Sequence, residues 1–101
     1  MTEAELEELK KIVAPIAAKR GVDKVYLFGS RARGDNRPDS DYDFIISRGK
    51  LRGLAFLGLK GDLEDALGTE IDLISDEPPY DHKFMQEVKN DEVLLYDNAA
   101  R

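Results

Sequence analysis

Residues 24–47 restrict the possible fold more than any other stretch of this chain. The stretch opens with β-branched and aromatic residues, which predict a strand over residues 24–28. Gly29 ends that strand where the chain must bend tightly, and a polar loop rich in turn residues follows over residues 34–39. A second strand is predicted over residues 41–47. The stretch therefore predicts a strand, a glycine turn, a loop and a second strand.

The turn between these strands has the composition of an anion-binding site. It reads Gly29-Ser30-Arg31-Ala32-Arg33-Gly34. We expect Ser30 to cap the short turn, leaving backbone N–H groups and its own hydroxyl to meet an anion. Arg31 and Arg33 are expected either to add positive charge beside phosphates or to pair with nearby carboxylates.

The second predicted strand begins with two acidic residues, Asp41 and Asp43. Residues i and i+2 of a strand point to one face, so these carboxylates should lie side by side, with Tyr42 and Phe44 on the other face. Adjacent carboxylates repel each other unless a cation lies between them. Divalent metal is the usual cation, and oxygen ligands suit Mg²⁺.

A third acid, Asp72, lies in the apolar alternation of a strand-like run over residues 70–74. A carboxylate in such a run is costly unless it faces a site. If this strand pairs beside the second one, Asp72 completes a cluster of three carboxylates. Such a cluster suits two metal ions about 3.5–4 Å apart, the arrangement used in phosphoryl transfer.

Each of these fragments alone also has an ordinary interpretation as a surface turn, a solvated acidic face or exposed arginines. Their order favours function: strand, Gly-Ser turn, loop, Asp-x-Asp on a strand, and Asp on a later strand. This pattern resembles the DNA polymerase β-like nucleotidyltransferase superfamily, and most closely its minimal nucleotidyltransferase branch. The resemblance covers nearly the whole chain.

The resemblance implies an α/β fold with a small, twisted, mixed sheet of about four strands and helices mainly on one face. It implies that Gly29 and Ser30 bind a triphosphate, with Arg31 and Arg33 beside it. Asp41, Asp43 and Asp72 would be the catalytic and metal-binding carboxylates, Mg²⁺ the metal, with two ions expected, and ATP the nucleotide donor. Asp72 is the candidate for helping to remove the acceptor proton.

The resemblance also suggests the acceptor. Minimal nucleotidyltransferases often accompany a HEPN-domain ribonuclease toxin and neutralise it by transferring a nucleotide to its tyrosine. We expect this chain to be such an antitoxin, because nearly all of its length is spent on the sheet and its helices. Two alternatives stay open: a small-molecule transferase like the aminoglycoside nucleotidyltransferases, and a non-catalytic module that inhibits its partner by contact.

Composition limits the remaining classes. A chain of 101 residues predicts one domain over residues 1–101. No apolar run approaches a membrane span and no leader pattern is present, so we expect no membrane contact. The absence of cysteine fits the cytoplasm. A net charge of −6 argues against nonspecific nucleic-acid binding, and the lone His82 argues against a histidine metal cluster.

Three helices and a last strand complete the prediction. The first helix follows a capping box at residues 2–5 and ends near Gly21, the second covers Leu54–Leu67, and the third is capped by Asp81 and runs to about residue 90. Residues 93–96 predict a closing strand. The second helix is expected to turn four residues inward: Leu57, Leu63, Ala66 and Leu67. The expected partner contacts near the site are the basic loop at residues 48–52, Phe56 and Leu59.

Overall fold

Helices and strands alternate along the chain, and a computed structural model describes residues 1–100. The helices are α1 (Glu3–Arg20), α2 (Gly29–Arg33), α3 (Leu54–Leu67) and α4 (His82–Asp91), with a final 3-10 turn at Asn98–Ala100. The strands are β1 (Lys24–Phe28), β2 (Tyr42–Ser47), β3 (Ile71–Ser75) and β4 (Val93–Asp97). Every strand predicted from the sequence is present, with boundaries shifted by at most one residue.

The four strands form one mixed sheet in the order β3-β2-β1-β4. β1 pairs antiparallel with both β2 and β4, whereas β2 and β3 are parallel. A parallel pair needs a long crossover connection, and α3 supplies it. The expectation of a small mixed sheet of about four strands is confirmed.

The sheet divides the apolar side chains between two layers. The larger layer packs α1 and α3 against one face, where Val25, Leu27, Phe44 and Ile46 are fully buried. The smaller layer packs Met85 and Val88 of α4 against the other face. The helices therefore lie mainly on one face, as the sequence predicts, with α4 covering part of the second.

Helix ends follow the predicted capping chemistry. Thr2 accepts a hydrogen bond from the Glu5 backbone N–H, and the Glu5 carboxylate accepts one from the Thr2 N–H, which completes a capping box. Gly21 ends α1 in the left-handed conformation, and the helix continues without interruption through Pro15. Asp81 accepts a hydrogen bond from the Phe84 N–H and caps α4.

The inward face of α3 differs from the sequence prediction. Leu59 and Leu63 are fully buried, whereas Leu57 is 60% exposed and Ala66 is also exposed. Leu67 packs at the edge of the core. Apolar residues lie almost all round this helix, so spacing alone does not fix which of them face the sheet. Within residues 1–100, none of the helices combines the length and apolar character that crossing a membrane requires.

Candidate active site

Three residues on adjacent strands form a row at one end of the sheet. Phe28, the last residue of β1, lies opposite Asp43 of β2, and Asp43 lies opposite Asp72 of β3. Directly paired residues point to the same face of a sheet. The parallel register therefore brings Asp43 and Asp72 together, as the sequence analysis expected, on the face that α4 partly covers.

The charge balance of this row is unfavourable in the absence of a cation. Burial, together with hydrogen bonding to and repulsion from the Asp72 carboxylate, raises the pKa of Asp43 to about 6. Repulsion from Asp41 adds to the rise, whereas Arg33 lowers the pKa. A positive ion that binds to two carboxylates held this close stabilises them, because it relieves their repulsion.

Asp41 does not complete a three-carboxylate cluster in this structure. It is exposed and directly precedes β2. Its charge reaches Asp43, yet no group of three His, Asp or Glu side chains in residues 1–100 has a geometry that could hold a metal ion. The carboxylate oxygens of Asp43 and Asp72 nevertheless suit Mg²⁺, because they are hard ligands with unbalanced negative charge. The roles of Asp41, Asp43 and Asp72 as metal ligands therefore stay predictions.

The backbone of the glycine turn lies against the side chain of Asp43. Gly29 has a φ of 76°, and a Cβ at this position would overlap with Oδ2 of Asp43. Only glycine combines that conformation with so close an approach. The backbone at the start of α2 therefore lies directly against the acidic pair.

Ser30 is placed differently from the sequence prediction. α2 begins at Gly29, so its N-cap is Phe28, which makes no side-chain capping bond. The prediction that Ser30 caps the turn is wrong, because Ser30 is already inside the helix. Its hydroxyl makes no hydrogen bond within residues 1–100. Binding of an anion by this hydroxyl stays a prediction.

Arg31 holds the loop that leads into β2. Its guanidinium donates to the backbone carbonyl of Ser40 at 2.7 and 2.9 Å and to that of Pro38 at 3.2 Å. It also lies 4.2 Å above the centre of the Tyr42 ring. Neither expected role, charge beside phosphates or pairing with a carboxylate, describes these contacts. Arg31 could contact a phosphate only by giving up these contacts.

Arg33 follows the second of its two expected roles. It donates to Asp35 at 3.0 Å and to Asp91 at the end of α4 at 2.9 Å. The latter pair joins α2 to α4 across the sheet end. The favourable charge of Arg33 still reaches Asp43. Binding of phosphate by Arg33 stays a prediction.

An open cavity of about 460 Å³ lies over the acidic pair. Its walls include the two carboxylates and five residues that the sequence analysis did not assign to the site: Phe28, Lys60, Leu73, Ile74 and Phe84. Phe28 and Phe84 meet edge to face with ring centres 6.1 Å apart. Phe84, on α4, is 43% exposed at the rim of the cavity.

The expected partner-contact residues are not among those that line this cavity. The basic loop at residues 48–52 follows the far end of β2, about 13 Å along the strand from Asp43. Arg48 and Arg52 donate to carbonyls of their own loop, and Leu59 is fully buried. Phe56 packs against the core. The basic loop and Leu59 were therefore wrong choices for a surface near the acidic pair, whereas a partner contact by Phe56 stays a prediction.

The fold and the arrangement of turn and carboxylates are those of a nucleotidyltransferase. The sequence profile of the family described as "Polymerase beta, Nucleotidyltransferase" matches residues 10–101. The chain belongs to this polymerase β-type nucleotidyltransferase family, and it is a nucleotidyltransferase of the minimal kind.

Two relatives match a large part of the chain. A provisionally named protein adenylyltransferase of Methanocaldococcus jannaschii, MJ0435, is 37% identical over 71 residues, which cover 69% of this chain and 76% of the relative. Protein adenylyltransferase MntA of Thermococcus cleftensis is 32% identical over 74 residues, covering 68% and 75%.

Solved structures share the fold. A provisionally assigned minimal nucleotidyltransferase superposes with a TM-score of 0.75 at 30% identity, covering 92% of this chain and 95% of the other. A complex of a tri-AMPylated Shewanella oneidensis HEPN toxin with its MNT antitoxin contains a chain with a TM-score of 0.69 at 18% identity, covering 94% and 75%.

Proposed function

We propose that this chain is a protein adenylyltransferase that acts as an antitoxin by transferring AMP from Mg²⁺-ATP to a hydroxyl group of a HEPN-class toxin. The acceptor is a tyrosine. The observation that carries the proposal is the pairing of Asp43 with Asp72 directly beside the Gly29 turn. Two relatives named as protein adenylyltransferases support the reaction, and the fold shared with an MNT antitoxin supports the partner class.

The nucleotide side of the site is assigned to the turn. Gly29 lets the backbone approach the phosphates, and the Ser30 hydroxyl and the N–H groups at the start of α2 donate to their oxygens. Asp41 and Asp43 would hold Mg²⁺, which would supply charge neutralisation at the phosphates. Arg33 balances the negative charge of the site from behind the turn.

The acceptor side is assigned to β3. The acceptor oxygen forms a bond to the α-phosphorus, while the bond from that phosphorus to the bridging oxygen of the β-phosphate breaks and pyrophosphate leaves. Asp72 accepts the proton of the acceptor hydroxyl, because it lies beside Asp43 on the strand furthest from the turn. The apolar wall of Phe28 and Phe84 suits the aromatic ring of a tyrosine.

The direct test is transfer to the partner. The chain is incubated with ATP, Mg²⁺ and a HEPN-class protein, and the intact partner is weighed by mass spectrometry. We expect the partner to gain the mass of one or more AMP groups. An Asp41→Asn/Asp43→Asn variant should add none, whereas an Asp65→Asn variant on the exposed side of α3 should add as much as the unchanged protein.

The same variants distinguish catalysis from inhibition by contact. Growth of cells that express the toxin should be rescued by the unchanged chain and by Asp65→Asn, but not by the double variant. Full rescue by a folded double variant, with no mass added to the partner, would establish a non-catalytic antitoxin instead. A partner that stays unmodified while a small-molecule hydroxyl is adenylylated would establish the alternative transferase.

A further inference from the structure

Lys60 is the basic side chain that lines the acidic cavity. It lies on α3, packed on the opposite face of the sheet from α4, and reaches the cavity at the edge formed by β3. Asp43 and Asp72 line the same space. The roles assigned above to the turn, the carboxylates and the arginines give this lysine no part.

The ammonium group of Lys60 is held near the cavity without being neutralised by the acidic pair. Its only ion pair within residues 1–100 is with Oε2 of Glu64, at 3.5 Å. The same Glu64 oxygen accepts a hydrogen bond from the backbone N–H of Ile71 at 3.1 Å. Glu64 therefore ties Lys60 to the start of β3, one residue before Asp72.

Lys60 reaches the cavity at the edge of the sheet that lies furthest from the nucleotide turn. The turn follows β1, Asp43 is on β2, and Asp72 is on the edge strand β3, beside which Lys60 lines the cavity. Two strand spacings, about 10 Å, separate β1 from β3. If the phosphates lie at the turn, the leaving pyrophosphate is on the β1 side. An in-line attack then brings the acceptor from the β3 side, where Lys60 is.

We propose that Lys60 binds the acceptor oxygen and stabilises the negative charge that develops on it as its proton passes to Asp72. This inference rests on the proposed transfer reaction and adds a residue to its acceptor side. Asp72 takes the proton while the Lys60 ammonium donates a hydrogen bond to the same oxygen, so Lys60 itself gains and loses no proton. A tyrosine oxygen benefits most, since it attacks as a phenolate.

The geometry also explains why Glu64 pairs with Lys60. Without an acceptor, a cation facing open solvent would lose its orientation, and the Glu64 carboxylate keeps it at the edge of β3. The two side chains are 38% and 27% exposed, so exchanging the pair for a contact with the acceptor costs little free energy. Lys60 can therefore change partners without disturbing the core.

The test measures nucleotide binding and transfer to the acceptor separately. AMP-PNP with Mg²⁺ is titrated by calorimetry, and transfer to the HEPN-class partner is followed by mass spectrometry at saturating ATP. For Lys60→Met we expect the affinity for AMP-PNP to change less than twofold, while the rate of transfer falls at least 30-fold. Lys60→Arg should restore most of that rate, because it keeps a cationic donor. Lys19→Met, an exposed lysine of α1, is the matched control and should change neither quantity.

Two results would overturn the inference. Transfer by Lys60→Met at the unchanged rate would show that the ammonium is a bystander. A loss of AMP-PNP affinity as large as the loss of transfer would make Lys60 a phosphate ligand rather than an acceptor ligand. Failure of the proposed function has a different signature: the unchanged protein itself would transfer no AMP, and the inference would fall with it.

Discussion

At the scale of single residues, the raised pKa of Asp43 predicts an unusual pH dependence of stability. A carboxyl group with a pKa of about 6 in the folded protein, above its usual 3.8, binds protons more tightly when folded. Its ionisation therefore destabilises the metal-free protein above pH 6, and the penalty disappears as the pH falls through 6 towards 4. Because the site is partly open to solvent, we expect about 1–2 kcal/mol at pH 7.

Denaturant unfolding of the metal-free protein at pH 7 and pH 4.5 measures this effect. Asp43→Asn should be more stable than the unchanged protein at pH 7, and the difference should shrink at pH 4.5. Adding Mg²⁺ at pH 7 should shrink it as well, because a bound cation relieves the same repulsion. A stability difference that does not vary with pH would contradict the assignment.

Asp72 should matter to chemistry far more than to folding. Its side chain is exposed, so Asp72→Asn should leave the melting temperature near that of the unchanged protein or raise it by relieving repulsion on Asp43. Transfer should fall by a factor of about 10²–10⁴, the usual contribution of a positioned general base. Melting curves and transfer rates are measured on the same preparations. A variant that retains the unchanged rate would show that Asp72 removes no proton.

At the scale of elements, alanine substitutions at two glycines distinguish the role of the turn from a general effect on the fold. Gly29→Ala forces a side chain into a positive φ and against Asp43, so we expect a loss of about 1–3 kcal/mol and of AMP-PNP binding. Gly61→Ala, inside α3 with open space around it, should gain up to about 1 kcal/mol and bind normally. Equal AMP-PNP affinity in both variants would contradict the role of the turn.

The loop before β2 depends on Arg31. Arg31→Met removes its hydrogen bonds to two loop carbonyls, so backbone amides in residues 34–41 should exchange hydrogen faster. Asp41 stands at the end of this loop, and we expect Mg²⁺-dependent nucleotide affinity to fall about tenfold as a result. If Arg31 instead binds phosphate, the nucleotide affinity of the variant falls while its amide exchange stays unchanged.

The sequence predicts elements whose composition is unambiguous and misses features decided by packing. β1 and β2 are rich in β-branched and aromatic residues, and the Asp43–Asp72 row follows once β3 is placed beside β2. α3 carries apolar residues on several sides, so the exposure of Leu57 depends on how the helix sits on the sheet. The partners of Arg31 and the approach of Lys60 are tertiary contacts that have no local pattern.

At the scale of the whole molecule, the acidic cavity opens at one end of the sheet, and the proposed transfer requires the partner to dock there. Phe84 stands at its rim with 43% of its surface exposed. Phe84→Ser should weaken partner binding and slow transfer about tenfold, because a partly exposed aromatic anchor is lost. Leu94→Ser, on β4 at the opposite edge with 41% exposure, is the matched control and should change neither. Surface plasmon resonance with the partner measures both variants. Equal losses of partner binding in the two variants would show that the partner docks at another surface.

The position of β3 at the edge of the sheet has a consequence for self-association. An edge strand offers unpaired backbone groups to other chains, and charged side chains are a common protection against such polymerisation. β3 carries Asp72, and the Glu64 carboxylate occupies the Ile71 N–H at its start. The charges assigned to chemistry thus also keep this edge from recruiting a foreign strand, so neutral variants at Asp72 and Glu64 should aggregate more readily at high concentration.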